Sequence, residues 1–198
     1  LLILVGFALL CVAGWYGYVQ FFTRGLETLP ARVCDGAVER DLVVQALPPS
    51  RDARERAVNS STSEDFTWNC RVVTSGDSVL WGQTHLSPVS KVDWVKGHNG
   101  RIVRAAVGDI EALAEIDTEE AAVYVPCTPR SELLRNSSPN YAVLTSMSVG
   151  GDTKAKGALL LQILTDIAYE QAKHAYGLAE CQGHRDFPSE LPRYQSDE

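Results

Sequence analysis

Gly76-Asp77-Ser78 follows a run of alternating apolar residues, the setting in which GDS-type esterases place a serine nucleophile for a distant histidine to activate. Those enzymes also need an Asp-x-x-His, and no Asp in this chain is followed by His three positions later. A hairpin turn explains the triplet, since turns select Gly, Asp and Ser. Ser78→Ala is then expected to change stability by no more than about 0.5 kcal/mol, as at an exposed turn. Asp166, Glu170 and His174 recur at i, i+4 and i+8, a spacing that aims three ligands at one metal ion. Charged helix flanks have the same spacing, and Glu170 with His174 makes an ordinary i, i+4 pair, so no metal is expected. No G-x-S-x-G elbow, HExxH helix or Gly-rich phosphate loop occurs, and neither a catalytic residue nor a cofactor is assigned.

Gln171 falls in the middle of an apolar helical arc, with His174 near its edge. A buried amide needs partners, so Gln171 either bonds to neighbouring backbone or water or, with His174, lines a ligand groove. Cys181-Gln182-Gly183-His184 offers a Cys/His site only if Cys181 is not in a disulfide. Asn59-Ser60-Ser61 and Asn136-Ser137-Ser138 have the form of glycosylation sequons.

Cys34, Cys70, Cys127 and Cys181 are widely spaced and contain no C-x2-C doublet, which favours disulfides in an oxidising compartment over a zinc cluster. Four cysteines allow three connectivities. Cys34 with Cys70 and Cys127 with Cys181 is the expected pairing, because each pair brackets one half of the polar part of the chain.

The elements that must hold these residues begin after an apolar run. Leu1 to Phe22 carries no charged side chain and spans roughly 33 Å as a helix, enough to cross a bilayer core. Trp15, Tyr16 and Tyr18 cluster at its end, where amphipathic rings favour the headgroup layer. Residues 1–23 are expected as a transmembrane helix and 24–33 as a juxtamembrane stalk. A cleaved secretory signal is the rival reading, opposed by apolar character that continues past the usual h-region. With no initiator methionine, residues are expected to precede Leu1. The net charge of -7 falls entirely outside this run and argues against nucleic acid as a partner.

Residues 34–183 are expected as an extracytoplasmic α+β domain, built as one unit or as half-domains 34–108 and 109–183. Val38, Leu42, Val43, Ala46 and Leu47 recur at helical spacing before Pro48-Pro49. Residues 50–64 read as an exposed polar loop. Phe66 to Val73 and Val79 to Leu86 read as a hairpin, and Gly97-His98-Asn99-Gly100 as a turn between Val89–Lys96 and Arg101–Val107. Asp109 to Ile116 reads as a short N-capped helix. Ala121 to Val125 and Tyr141 to Val149 read as strands, and residues 153–180 as a long amphipathic helix. In that helix Leu160, Ile163, Leu164, Ile167, Ala168, Ala175 and Leu178 face the core, and Gln162, Asp166, Tyr169 and Lys173 face outward. The expected fold is an N-terminal transmembrane helix followed by a mostly antiparallel sheet with the long C-terminal helix packed on it. Residues 184–198 are expected to be an extended or frayed tail.

An apolar anchor, a Cys-helix opening (VCDGAVERDLVVQAL), a W-x-C strand (TWNCRVV), a Val-Pro-Cys strand (VYVPC) and an Ala/Leu-rich helix closing on Cys181 together resemble the uncharacterised membrane-anchored, disulfide-bonded extracytoplasmic proteins of actinobacteria. Related lipoproteins carry a lipobox, which is missing here. The resemblance implies an extracytoplasmic disulfide domain and no activity. The function expected is that of a single-pass anchored domain, non-enzymatic, that binds or scaffolds a protein partner at the cell envelope, with loop 50–64 and aromatics near Trp81 or Trp94 as its surface. The alternative is an envelope hydrolase with an unrecognised active site.

Overall fold

Branched and aromatic residues alternate with polar ones over 67–74 and 79–87, while 110–115, 120–127 and 141–145 are largely apolar and buried on both faces, and these segments belong to a seven-stranded antiparallel sheet. The computed structural model describes residues 10–15, 17–18, 23–62, 65–98, 100–130, 138 and 140–194. Two short strands, β1 (Arg32–Val33) and β2 (Val38–Glu39), pair as a small ribbon. The large sheet contains β3 (Ala53–Asn59), β4 (Thr67–Thr74), β5 (Val79–Ser87), β6 (Ile102–Val107), β7 (Ile110–Glu115), β8 (Glu120–Cys127) and β9 (Tyr141–Gly150). Its order is β3-β4-β5-β9-β8-β7-β6, two meanders that run inward from opposite edges and meet at β5 and β9.

Among the described residues, helices α1 (Arg40–Ala46), α2 (Lys91–Gly97) and α3 (Gly157–Leu178) accompany the sheet. On α3, Leu160, Ile163, Leu164, Ile167, Ala168 and Ala175 are buried. They meet Trp68, Val72, Leu80, Val123, Val143 and Met147 from the sheet, forming the principal core. On the opposite face, among the described residues, the cover lies over β7, β8 and β9, where Trp94 of α2 packs with Leu113, Tyr124 and Leu144. The α+β architecture, the antiparallel sheet and the packed C-terminal helix are therefore as expected. Cys34 pairs with Cys70 and Cys127 with Cys181, at Cα separations of 5.5 and 5.2 Å.

Four local expectations need correction. Residues 53–59, expected as loop, form edge strand β3; its Ala53 and Ala57 pack on the core while Arg54, Arg56 and Val58 face outward, so the apolar signal is two small residues. Residues 110–115 form β7 and not a helix, because Gly108 at φ 61° turns the chain back on β6 and the segment is buried between β6 and β8. Gly97, expected to open a turn, instead ends α2 over residues 91–97: the Ser90 side chain accepts a bond from the Asp93 amide and caps the helix. The tail is extended but docked up to Tyr194. Leu191 is buried, the Tyr169 hydroxyl donates to the Pro188 carbonyl at 2.8 Å, and the Tyr194 amide donates to Gln162 Oε1 at 3.0 Å. Gln162 and Tyr169, expected outside, are buried beneath it.

Residues 24–33 are drawn into the domain, with Leu26, Leu29 and Val33 in the core. Of the expected span 1–23, residues 10–15 and 17–18 are helical, while 1–9, 16 and 19–22 lie outside the described residues. Among the described residues no helix is long and apolar enough to cross a membrane.

Docking of the tail makes stability sensitive to alkali. The Tyr194 hydroxyl bonds to Thr165 Oγ1 at 2.7 Å, and burial pushes its pKa from 10 up to about 12. The folded state keeps a proton that the unfolded chain releases above pH 10, so this stability is complete below pH 10 and is lost as pH rises through 12. Melting temperature should fall between pH 10 and 12, and Tyr194→Phe should fall less steeply there; equal slopes would count against the assignment.

Candidate binding face

Among the described residues, no helix packs on the second face of β3, β4 and β5. Successive side chains alternate between faces. Since Trp68, Cys70, Val72, Leu80 and Thr84 point into the core, Asn69, Arg71, Val73, Trp81 and Gln83 lie on the bare side. Register lines these residues up. Arg56 of β3 is opposite Arg71 of β4, Arg71 is opposite Trp81 of β5, and Trp81 is opposite Ser148 of β9. One step along, Val58, Asn69, Gln83 and Ser146 form the parallel row. Trp81 is 52 % exposed and lines, with Arg71 and Val79, a shallow concavity of about 380 Å³.

The electrostatics run from positive to negative along the first row. Arg54 pairs with Asp52 at 3.3 Å, whereas Arg56 and Arg71 have no carboxylate partner among the described residues. Glu120 closes the far end opposite Ser148 and beside Glu115. Burial first, and then the Glu115 carboxylate, raise the Glu120 pKa. Glu115 itself bonds to His98 Nδ1 at 2.7 Å. The arrangement offers a flat aromatic ring, planar amides and two unneutralised guanidinium groups, which suits recognition of an anionic, amphipathic surface and supplies no nucleophile–base pair.

The residues singled out by spacing lie elsewhere. Gln171 is fully buried in the core; its Nε2 donates to Thr84 Oγ1 at 3.2 Å, Thr84 shares a hydroxyl bond with Thr145 at 2.9 Å, and among the described residues Gln171 Oε1 has no hydrogen-bond partner. His174 sits against Trp68 with ring centroids 5.3 Å apart, and burial lowers its pKa. Neither lines the cavity of about 470 Å³ beside Phe66, Leu86 and Leu178, nor that of about 200 Å³ among Tyr124, Tyr141 and Tyr176. Asp166 is engaged by Gln162 and Arg193, and Glu170 by Lys173 and Arg32. Among the described residues no group of three His, Cys, Asp or Glu is placed to hold a metal ion. Asn136 and Ser137 lie outside the described residues; Asn59 ends β3 and accepts from Ser61 Oγ.

Ser78 is buried and not an exposed turn residue. Its hydroxyl donates to the Asp152 carbonyl at 2.8 Å and its amide to Thr74 Oγ1 at 3.2 Å. Removing the hydroxyl strands that carbonyl, so Ser78→Ala should cost about 1 to 2 kcal/mol in chemical denaturation, more than an exposed position would. A loss under about 0.5 kcal/mol would show that water replaces the bond. The register that assembles Arg56, Arg71 and Trp81 escaped sequence reasoning because β3 was read as loop. Trp81 alone is visible as a candidate, and Trp94 proves to be buried on the sheet-facing side of α2.

No family model, curated protein or solved structure matches this chain.

Proposed function

We propose that this chain is the anchored extracytoplasmic part of a single-pass membrane protein of the cell envelope, and that it works without enzymatic activity by binding or scaffolding a protein partner on the bare face of β3, β4 and β5. One observation carries the reading: Trp81 is exposed in the same row as Arg56 and Arg71, two like charges directly opposite each other with no carboxylate paired to either among the described residues. Two guanidinium groups facing across adjacent strands repel, an arrangement that costs folding free energy and suits a binding surface. For the anchor, support comes from the uncharged run Leu1 to Phe22 and from the exposed Leu10, Val12 and Trp15 within its described part.

The test is native purification from membranes of wild type and Trp81→Ala, with thermal melting of both. A partner present with wild type and lost from an equally stable Trp81→Ala supports the face, and an unchanged partner set overturns it. Quantitative release of the intact protein by carbonate would remove the anchor.

A further inference from the structure

We propose that β3 accepts an extended acidic segment of the partner as an eighth strand of the sheet. The inference rests on the binding-face reading above and assigns the chemistry of its occupant.

The backbone of β3 is prepared for this. Among the described residues it is the last strand on its side of the sheet, and the nearest chain, Arg24 and Gly25, bridges at Ser50, before the strand begins. The Ser75 amide donates to the Asp52 carbonyl and the Ser60 amide to the Thr67 carbonyl, which fixes the ladder at both ends of the strand. Antiparallel pairs alternate between bonded and non-bonded, so Arg54, Arg56 and Val58 turn their N–H and C=O groups toward β4. Glu55, Ala57 and Asn59 turn theirs away from the sheet, and among the described residues those groups have no hydrogen-bond partner. The strand contains no proline or glycine, and its register with β4 is unbroken. Natural edges are usually blunted by bulges, prolines or covering segments. The opposite edge shows such cover: Pro192, Arg193 and Tyr194 of the docked tail lie alongside Val103 to Ala106 of β6.

Side chains choose among the strands that would fit. Arg54 and Arg56 project onto the bare face, with Arg71 directly behind Arg56. A second copy of β3 would bring arginines next to arginines and be repelled. A strand with Asp or Glu at alternate positions would place carboxylates beside Arg56, within reach of Arg71, and relieve the repulsion between the two. Main-chain bonds to β3 would supply affinity, and the charge pattern would supply selectivity. Glu55 does not oppose this, because it points to the other face, where its carboxylate accepts from the Cys34 amide at 2.8 Å.

The experiment uses three labelled synthetic peptides and the whole extracytoplasmic region. The first peptide alternates glutamate and valine, the second lysine and valine, and the third is the first with every other amide N-methylated, which keeps the charge and removes donors. Fluorescence anisotropy at low salt should show binding of the first peptide only. Hydrogen exchange at Ala57 and Asn59 should slow by about tenfold or more when it binds, as expected of newly bonded edge amides. Ala57→Pro removes an outward N–H that makes no ladder bond, so it should fold with unchanged melting and lose the peptide. Arg56→Glu with Arg71→Glu should reject the acidic peptide and take the lysine one, a reversal that unfolding cannot produce.

Equal binding of the N-methylated peptide, or full binding by Ala57→Pro, would overturn strand addition. So would binding of an acidic oligosaccharide such as oligogalacturonate when none of the peptides binds. A native partner lost from Trp81→Ala but kept by Ala57→Pro leaves the binding face standing and removes this inference. A partner unaffected by either variant removes both.

Discussion

Replacing Cys127 and Cys181 together by alanine should lower the stability of the folded domain by about 4 kcal/mol. The two residues are 54 apart in sequence, and the bond between them removes much of the entropy that this length of unfolded chain would otherwise have. It also ties the end of β8 to the turn after α3, where the Gln182 amide donates to the Thr128 carbonyl at 2.7 Å and the docked tail begins. The tail should therefore loosen first in the variant, seen as faster hydrogen exchange at Tyr194. The Cys34–Cys70 bond spans only 36 residues, so its removal should cost a few tenths of a kcal/mol less on loop length alone. Denaturant titration of both double variants at one pH measures the difference. A loss below about 1 kcal/mol for Cys127 and Cys181 would mean that the unfolded chain is already compact there.

Gly82→Ala should cost about 3 kcal/mol although it adds a single carbon. Gly82 lies on the core face of β5, opposite Met147, and a methyl group there would occupy the space now filled by the Gln171 carboxamide and the end of Met147. The core around it is closed on every side, so neither neighbour can retreat without opening a new void. Displacing Gln171 would also break its bond to Thr84 and leave a second buried polar atom unsatisfied. The clean test is a double-mutant cycle with Gln171→Ala. The alanine pair should be more stable than the sum of the single losses allows by more than about 1 kcal/mol, because removing the amide removes the clash. Additive losses would show that the absence of a side chain at position 82 does not serve Gln171.

Legibility in the sequence followed the range of the signal. The hairpin of β4 and β5, strands β8 and β9, the long α3 and both cysteine pairings were visible because alternation, helical periodicity and cysteine order are properties of single segments. Segment 110–115 misled because Ile-Glu-Ala-Leu-Ala-Glu is made of good helix formers, and only its burial between two neighbouring strands overrides that preference. Segment 91–97 carries too short a pattern to announce its helix, and the decisive signal is the Ser90 cap. The outer arc of α3 was read as solvated because nothing local announces that Leu191 and Tyr194 return to cover it. The candidate face was the least legible part. Trp81 could be suspected alone, but its alignment with Arg71 and Arg56 depends on register between three strands, and register belongs to the assembled sheet.

The meeting of β5 with β9 has a consequence for how quickly the chain folds. Cys34–Cys70 lies wholly before this seam, and Cys127–Cys181 joins two points on its far side. Each meander can form from neighbouring hairpins, but pairing Ser87 with Ala142 requires closure of the whole segment between them, and neither disulfide shortens it. Long-range closure of this kind sets folding rates in β-rich domains. Oxidation should consequently slow unfolding far more than it speeds folding, and the search for the seam should take about as long in the reduced chain as in the oxidised one. Until that search ends, the exposed edge of β5 is open to pairing with whatever strand arrives first.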